Sequence, residues 1–323
     1  MRVEYSYKIN QERVVRLYKE LAALILEGKY DELAKGLKEQ LQAQLPSHSK
    51  KSAASLLKKL GELLVQVGQS DETSGRWRIE CFHAIRLIQS GREIQSMPWK
   101  RKKAEELFLY LLLQPNYRAS KEAASDILFY CDDAGQISNQ LYVIVHHIKQ
   151  TLHQYLNIPK GISIKNGMIL LSEEMIDYVD VEKYSALVRV GNQLWASYPD
   201  LSVNLYDEAQ QIYGELAPQL QYVDWLDLYR KDFLLKQTSI LKRLGSFYAA
   251  VGSLERAEQY YVEWIQLSPF EEEAYQELLK LYIRMNRKDT AKMWYRKMER
   301  LFRQELDIAP MSETTRIISE RWI

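Results

Sequence analysis

The N-terminal part of the sequence has apolar residues at every third or fourth position. Between residues 12 and 67 they form three runs, and each run has the spacing of one face of an α-helix. Polar breaks at residues 28–30 and 46–49 separate the runs. Residues 68–75 are polar, glycine-bounded and without periodicity, which indicates a domain boundary. We therefore predict a helical segment over residues 1–75.

The period changes after this boundary. Three short segments alternate between apolar and polar residues as β-strands do: residues 76–82, 85–88 and 93–94. Helical spacing then returns in three segments, at about residues 104–113, 120–130 and 138–156. An alternating pattern around Asn166 and Gly167 is typical of a two-residue hairpin turn. Three strands, three helices and a hairpin predict a winged helix-turn-helix domain over residues 76–181.

The C-terminal part of the sequence repeats itself at an offset of 34 residues. The equivalent pairs are Leu244 and Leu278, Tyr248 and Tyr282, Gly252 and Asn286, Ala257 and Ala291, and Tyr261 and Tyr295. This offset is typical of the tetratricopeptide helical hairpin, in which a small residue lets two helices approach and a tyrosine packs one turn later. Ala209 and Tyr213 echo the pair upstream, so we predict three stacked hairpins over residues 182–323, with a last helix that ends at Pro310. Such stacks bind peptides or partner domains and rarely carry out chemistry.

One point inside this region stays open at the level of sequence. The apolar spacing over residues 222–244 fits either one long amphipathic helix or two shorter ones.

Composition and charge limit the functions open to the chain. Of its 323 residues 46% are hydrophobic, enough for two or three domains, and a net charge of +1 provides no global basic field. Cys81 and Cys131 are far apart and lack metal-ligand spacing, as expected in a reducing compartment. The sequence has neither a signal-peptide pattern nor an apolar run of about 18 residues. We expect a cytoplasmic protein without a membrane partner.

No motif of enzymatic chemistry is present. The sequence lacks the Gly-x-Ser-x-Gly, Walker A and dinucleotide-binding patterns. His146, His147 and His153 invite a metal site, but neighbouring helical residues point about 100° apart and no carboxylate or cysteine completes the set. We therefore predict no enzyme, no metal site and no cofactor.

The third helix of the winged domain carries the main candidate binding site. Its apolar residues occupy one arc: Leu141, Ile144, Val145, Ile148 and Leu152. The remaining surface carries Asn139, Gln140, Val143, His146, His147, Lys149 and Gln150. In a helix-turn-helix this surface enters the major groove, where amide side chains and His147 bond base edges, Val143 meets a thymine methyl and Lys149 meets a phosphate. The alternative interpretation is a face that is merely solvated.

Three further groups are candidates for phosphate contacts. The basic run at residues 100–103, which includes Arg101 and Lys102, precedes the first helix of the winged domain. Ser120 is placed to cap the second helix, whose exposed amides, with Lys121 beside them, could hold a phosphate. Lys165 precedes Asn166 at the tip of the predicted wing. Solvated charge and ordinary helix capping are the alternatives.

Several segments resemble a known family of regulators. Residues 99–107, 111–113, 120–122 and 139–152 resemble the OmpR-like winged-helix domain of antibiotic-regulatory-protein (SARP) activators. Residues 272–315 resemble the bacterial transcriptional activator domain (BTAD) that follows it in that family. The resemblance implies a bacterial transcription factor that binds double-stranded promoter DNA and recruits RNA polymerase. It further implies a repeat domain for dimerisation and regulation, and a homodimer. From the repeat stack itself we expect a peptide or small effector as a further ligand.

The sequence departs from this family on the third helix. Where the family tends to place arginines, the chain has His146, His147 and Lys149. Neutral imidazoles neutralise fewer phosphates, so DNA affinity would depend more on the wing, the basic run and oligomerisation. Two functions stay open: a DNA-binding regulator, expected to be an activator, or a protein-interaction scaffold whose degenerate winged helix no longer binds DNA.

Overall fold

The computed structural model describes residues 61–62, 76–95, 97–129 and 134–319, with residues 134–138 described by their main chain only. The helices predicted before residue 68, the boundary at residues 68–75 and Cys131 lie outside this range, apart from Gly61 and Glu62, which are helical. The chain forms two compact units, Met1–Tyr229 and Arg230–Ile323. The predicted fold class, mainly helical with a small-sheet winged helix before helical repeats, is confirmed.

Two small sheets frame the winged helix in the first unit. The first has the order β3-β2-β1-β7, with β1 at Trp77–Glu80, β2 at Arg86–Gln89, β3 at Arg92–Ile94 and β7 at Ile176–Val179. The second has the order β4-β6-β5, with β4 at Arg118–Ser120, β5 at Ile162–Lys165 and β6 at Met168–Leu171. Trp77 and Ile79 are buried while their neighbours are partly exposed, as expected for a strand with one face on a core.

Three helices lie between β3 and β5 in sequence: α1 at Lys102–Leu112, α2 at Lys121–Leu128 and α3 at Ala134–Leu156. The predicted order of strands, helices and hairpin is confirmed, but β4 and β7 are additional. β7 pairs in parallel with β1, almost a hundred residues away in sequence, and β4 pairs with β6. Both strands are so short that their pairing depends on the tertiary fold more than on local pattern.

The remaining helices form consecutive hairpins. Their bounds are α4 at Asp180–Leu194, α5 at Pro199–Ile212, α6 at Asp224–Ala250, α7 at Leu254–Leu267, α8 at Glu272–Arg284, α9 at Lys288–Glu305 and α10 at Ser312–Ser319. The open question over residues 222–244 is answered by a single helix, α6. The helix predicted to end at Pro310 is shorter, because α9 stops at Glu305 and α10 starts after the proline.

The 34-residue repeat corresponds to real structural equivalence. Ala257 on α7 and Ala291 on α9 are both fully buried, and Gly252 and Asn286 both have left-handed φ angles, of 86° and 58°, in the turns before those helices. Glycine and asparagine adopt this conformation at low cost, so the same turn recurs one repeat later.

The predicted upstream copy of the Ala–Tyr pair, Ala209 and Tyr213, is only partly equivalent to the later pairs. Ala209 is buried in α5, but Tyr213 lies just beyond the end of that helix and packs against Phe82 and Tyr184, with ring centroids 5.6 and 5.7 Å away. The tyrosine that closes the α4–α5 hairpin is Tyr206, because a Cβ on Gly191 would lie 2.6 Å from its ring. Gly245 on α6 faces Tyr261 on α7 in the same way.

Buried acids at the start of α4 fasten the winged helix to the first hairpin. The Asp180 carboxylate accepts hydrogen bonds from the main-chain N–H groups of Cys81, Phe82 and Val181 at 2.7–2.9 Å. Burial raises the pKa of Asp180 to about 7, although these three bonds act in the opposite direction. Glu182 accepts a 2.6 Å bond from the Tyr117 hydroxyl, which is also buried. Within the first unit, α4 is therefore hydrogen-bonded to the segments that directly follow β1 and directly precede β4.

Candidate nucleic-acid interface

The helix α3 has two chemically distinct faces. The predicted apolar arc is buried, with exposed fractions from 0 to 7% for Leu141, Ile144, Val145, Ile148 and Leu152. Among the predicted contact residues with described side chains, His147 is half-buried and the others are exposed: Asn139, Gln140, Val143, His146, Lys149 and Gln150. The outer face, as we call this second set, is therefore open within the first unit.

The N-terminus of α2 and the wing border this outer face. The Ser120 hydroxyl accepts a 3.0 Å hydrogen bond from the Ala123 N–H, so Ser120 is the predicted N-cap. The Lys121 N–H donates a 2.9 Å bond to the Gly167 carbonyl at the tip of the wing. The Lys121 ammonium lies 5.6 Å from the ring centroid of Tyr142 on α3. Three segments that are far apart in sequence thus meet around Lys121.

The wing is a tight hairpin. Asn166 and Gly167 have φ angles of 50° and 78°, and Lys165 pairs with Met168 across the turn. Two consecutive left-handed residues are what a type I′ turn requires, which explains the Asn-Gly dipeptide. Lys165 and Asn166 are exposed at the end of the hairpin, where a wing would reach a DNA backbone.

The four cations of the basic run at residues 100–103 lie in two different environments. The Lys100 ammonium lies 3.4 Å from the Gln150 side-chain oxygen, and the charges of Lys100 and Arg101 act on His147, so these two cations flank α3. The other two are bound elsewhere: Lys102 donates a 3.0 Å bond to the Gln221 carbonyl, and Lys103 pairs with Glu106 at 2.9 Å. Sequence position alone did not separate these two pairs.

The environment of His147 favours the neutral imidazole. Burial lowers its pKa first of all, and the charges of Arg101, Lys100 and His146 lower it further. Its Nδ1 atom is buried and makes no hydrogen bond within the described part of the chain. A neutral imidazole can both donate and accept a hydrogen bond, which suits a base edge better than a phosphate.

Sequence reasoning missed Tyr142. Its side chain is 48% exposed beside Val143, which is 41% exposed. The signal was available, because Tyr142 stands three residues after Asn139 and four before His146, on the same helical face. An aromatic residue in an amphipathic helix is more readily assigned to packing.

The described residues show no metal-binding cluster, no accessible described cysteine and no membrane-spanning helix. No group of three or more histidine, cysteine or acidic side chains able to hold a metal ion occurs in the part of the chain that the structure describes. Cys81 is fully buried, and burial raises the pKa of its thiol, so it is protonated and inaccessible. Among the helices that the structure covers, none is both long and apolar enough to cross a membrane.

The architecture defines a class of protein: a winged helix-turn-helix followed by tetratricopeptide-like hairpins. Residues 179–320 match the family model of the bacterial transcriptional activator domain. This match begins in β7 and includes every helix from α4 to α10. The predicted resemblance of the C-terminal part of the chain to the BTAD is confirmed by this match.

A solved structure shows the same architecture. The chain is similar to Mycobacterium tuberculosis EmbR in complex with low affinity phosphopeptide, with a TM-score of 0.56 and 15% sequence identity. The similarity covers 76% of this chain and 64% of the EmbR chain, so the protein spans less than two thirds of that structure. At this identity the likeness establishes the fold. A comparison with curated proteins gives no significant match.

Proposed function

We propose that the protein is a DNA-binding transcriptional regulator that places α3 in the major groove of promoter DNA. The observation that carries the proposal is the open outer face of α3, bordered by the α2 N-terminus and the wing tip. In this arrangement Asn139, Gln140 and Gln150 meet base edges, and Val143 meets a thymine methyl. His146 and His147 supply further hydrogen bonds.

Phosphate contacts come mostly from elements beside α3. Lys149 is the cation of the outer face itself, and Lys100 and Arg101 flank its C-terminal half. Ser120 and Lys121 present a capped helix N-terminus, which favours an anion. Lys165 extends this surface along the wing. Lys102 is the weakest of the predicted contacts, since its ammonium is bound to the Gln221 carbonyl.

The proposal extends to the whole chain. Residues 76–181 serve as the DNA-binding domain and residues 182–323 as the BTAD, which mediates homodimerisation, regulation and recruitment of RNA polymerase in the bacterial cytoplasm. Support comes from the family match over residues 179–320. In this role the chain is an activator without enzymatic activity.

A fluorescence anisotropy titration with duplex DNA from the gene's own upstream region tests the proposal. We expect tighter binding to that region than to a random duplex, a steep loss of affinity with salt, and weaker binding by Lys149→Ala and His147→Ala. Lys231→Ala is the matched control, because Lys231 is exposed on α6, away from the winged helix in sequence. Equal affinity for the two duplexes at low salt would refute sequence-specific regulation.

One observation favours the second candidate function, a protein-interaction scaffold. Tyr142 and Val143 expose apolar surface in the middle of the outer face, and exposed aromatic residues are enriched at protein interfaces. The salt dependence separates the two functions: binding to DNA weakens steeply as salt rises, whereas apolar docking of a protein does not.

A further inference from the structure

The helix α9 carries a groove with an unusual charge. The groove is lined by Asp289, Lys292, Met293, Arg296, Lys297 and Arg300. All six side chains are exposed, while Ala291, Met298 and Phe302 on the opposite side of the helix are buried. Among the described lining residues, four cations therefore share one face with a single acid, although the whole chain has a net charge of only +1.

The spacing of these cations is regular. Lys292, Arg296 and Arg300 occupy positions i, i+4 and i+8, so each is displaced about 6 Å along the helix from the previous one. The Lys297 ammonium lies 4.5 Å from the Trp294 ring centroid, which holds it beside this row. Met293, with 57% of its side chain exposed, lies between the charges.

The two arginines of the row are not neutralised by the protein. Within the part of the chain that the structure describes, neither Arg296 nor Arg300 forms an ion pair, whereas nearby Arg303 pairs with Glu299 at 3.0 Å. An unpaired guanidinium retains its full capacity for a bidentate contact with a carboxylate. The face therefore fits an anionic partner.

We infer that this face of α9 binds an acidic peptide segment with carboxylates one helical turn apart and an apolar side chain between them. The carboxylates would meet Lys292, Arg296 and Arg300, and the apolar side chain would cover Met293. Two features favour a peptide over a DNA backbone. A run of phosphates offers nothing to Met293, and the chain lacks the broad basic field that attracts polyanions. The inference adds a partner chemistry to the repeat region and is independent of DNA binding by α3.

The test uses the full chain and a fluorescein-labelled helical peptide with glutamates at positions i, i+4 and i+8 and a leucine between them. We expect saturable binding at low salt, and a loss of affinity of about tenfold or more in the variant Arg296→Glu/Arg300→Glu. The peptide with glutamine in place of glutamate should lose binding to a similar degree, and leucine to alanine should weaken it severalfold.

Two controls make the result specific. The variant Lys231→Glu/Lys280→Glu has the same change in net charge on exposed positions of α6 and α8, and its affinity should stay within about twofold of the parent. Circular dichroism melting of each variant establishes that the fold is retained.

A DNA titration distinguishes the other anionic partner. Affinity of Arg296→Glu/Arg300→Glu for the upstream duplex should equal that of the parent. The inference is overturned by absence of peptide binding at millimolar concentration, by equal effects of both double variants, or by a selective loss of DNA binding in Arg296→Glu/Arg300→Glu. Failure of DNA binding by the parent chain would leave the peptide result unaffected and would count only against the proposed regulator.

Discussion

Helices α3 and α9 each have one buried apolar face, but their exposed faces carry different side chains. Each buries an apolar arc almost completely, with exposed fractions of 0% for Ile148 on α3 and 1% for Phe302 on α9. The outer face of α3 is rich in amides and imidazoles and has Lys149 as its one cation among the predicted contacts, whereas the groove on α9 has four cations. Cation density therefore does not identify the helix that we propose as the DNA reader.

The origin of positive charge also differs between the two faces. Around α3, apart from Lys149, it comes from other elements, through Lys100 and Arg101 before α1 and Lys121 at the start of α2. On α9 the charge belongs to the helix itself, at regular helical spacing. The surface around α3 thus exists only in the folded winged helix, whereas the row on α9 needs only a helix. Five predictions can break or sharpen this comparison.

The largest expected effect is on the shared feature, the buried arcs. Phe302→Ala should lower the free energy of unfolding by about 3–5 kcal/mol and Ile148→Ala by about 2–5 kcal/mol, because each leaves a cavity in a fully buried site. The matched changes Gln304→Ala and Gln150→Ala on exposed positions should cost less than about 0.5 kcal/mol. Urea unfolding followed by circular dichroism measures all four. Equal destabilisation by the substitutions at buried and at exposed positions would contradict the description of each helix as having one buried and one exposed face.

The second prediction compares the same charge reversal on the two helices. Lys149→Glu should weaken binding to the upstream duplex about tenfold or more, because it replaces a phosphate contact by a repulsion. Arg296→Glu should leave that binding within about twofold of the parent, although its helix is the more cationic. Anisotropy titrations at one fixed salt concentration measure both. A larger loss of affinity from Arg296→Glu would mean that α9, and not α3, binds the DNA.

The third prediction concerns the protonation of His147. Removing the flanking cations in Lys100→Ala/Arg101→Ala should raise the pKa of His147 toward its ordinary value, while Lys102→Ala/Lys103→Ala should leave it nearly unchanged, since these cations contact Gln221 and Glu106. NMR titration of the imidazole C–H resonances reads the pKa directly. An equal shift in both double variants would mean that the basic run acts as a diffuse charge.

The direction of the pH effect on stability follows from the same shift. The pKa of His147 is lower in the folded than in the unfolded protein, so the unfolded chain binds the proton more readily. The contribution of His147 to stability is therefore complete above the ordinary histidine pKa of 6.5 and is lost as the pH falls through that value toward the folded pKa. His147→Gln should flatten this part of the curve of unfolding free energy against pH.

The smallest expected effect is at the wing. Lys165→Ala should weaken DNA binding about two- to threefold and reduce the slope of log affinity against log salt by roughly one, as expected when one phosphate contact is lost. Lys160→Ala, an exposed lysine just before β5, provides the comparison. If the two changes have the same effect, the wing tip makes no specific contact.

Sequence predicted more of the fold than of the site. The apolar arc of α3, the Ser120 cap and the Asn166-Gly167 turn were all readable, because each depends on residues only a few positions apart. The composition of the site depends on contacts between residues that are far apart in sequence. The sequence pattern does not distinguish Tyr142 from a packing residue, and it presents the basic run as one group although only Lys100 and Arg101 flank α3.

The sequence by itself determined the local elements and the 34-residue repeat, since helical periodicity, turn residues and small packing residues act over short distances. Tertiary structure decided which distant segments meet: the parallel pairing of β7 with β1, the closure of the first hairpin by Tyr206 instead of Tyr213, and the meeting of Lys121, Tyr142 and the wing. The physical reason is that strand register and side-chain contacts between distant elements depend on the packing of the whole core, which no short window of sequence contains.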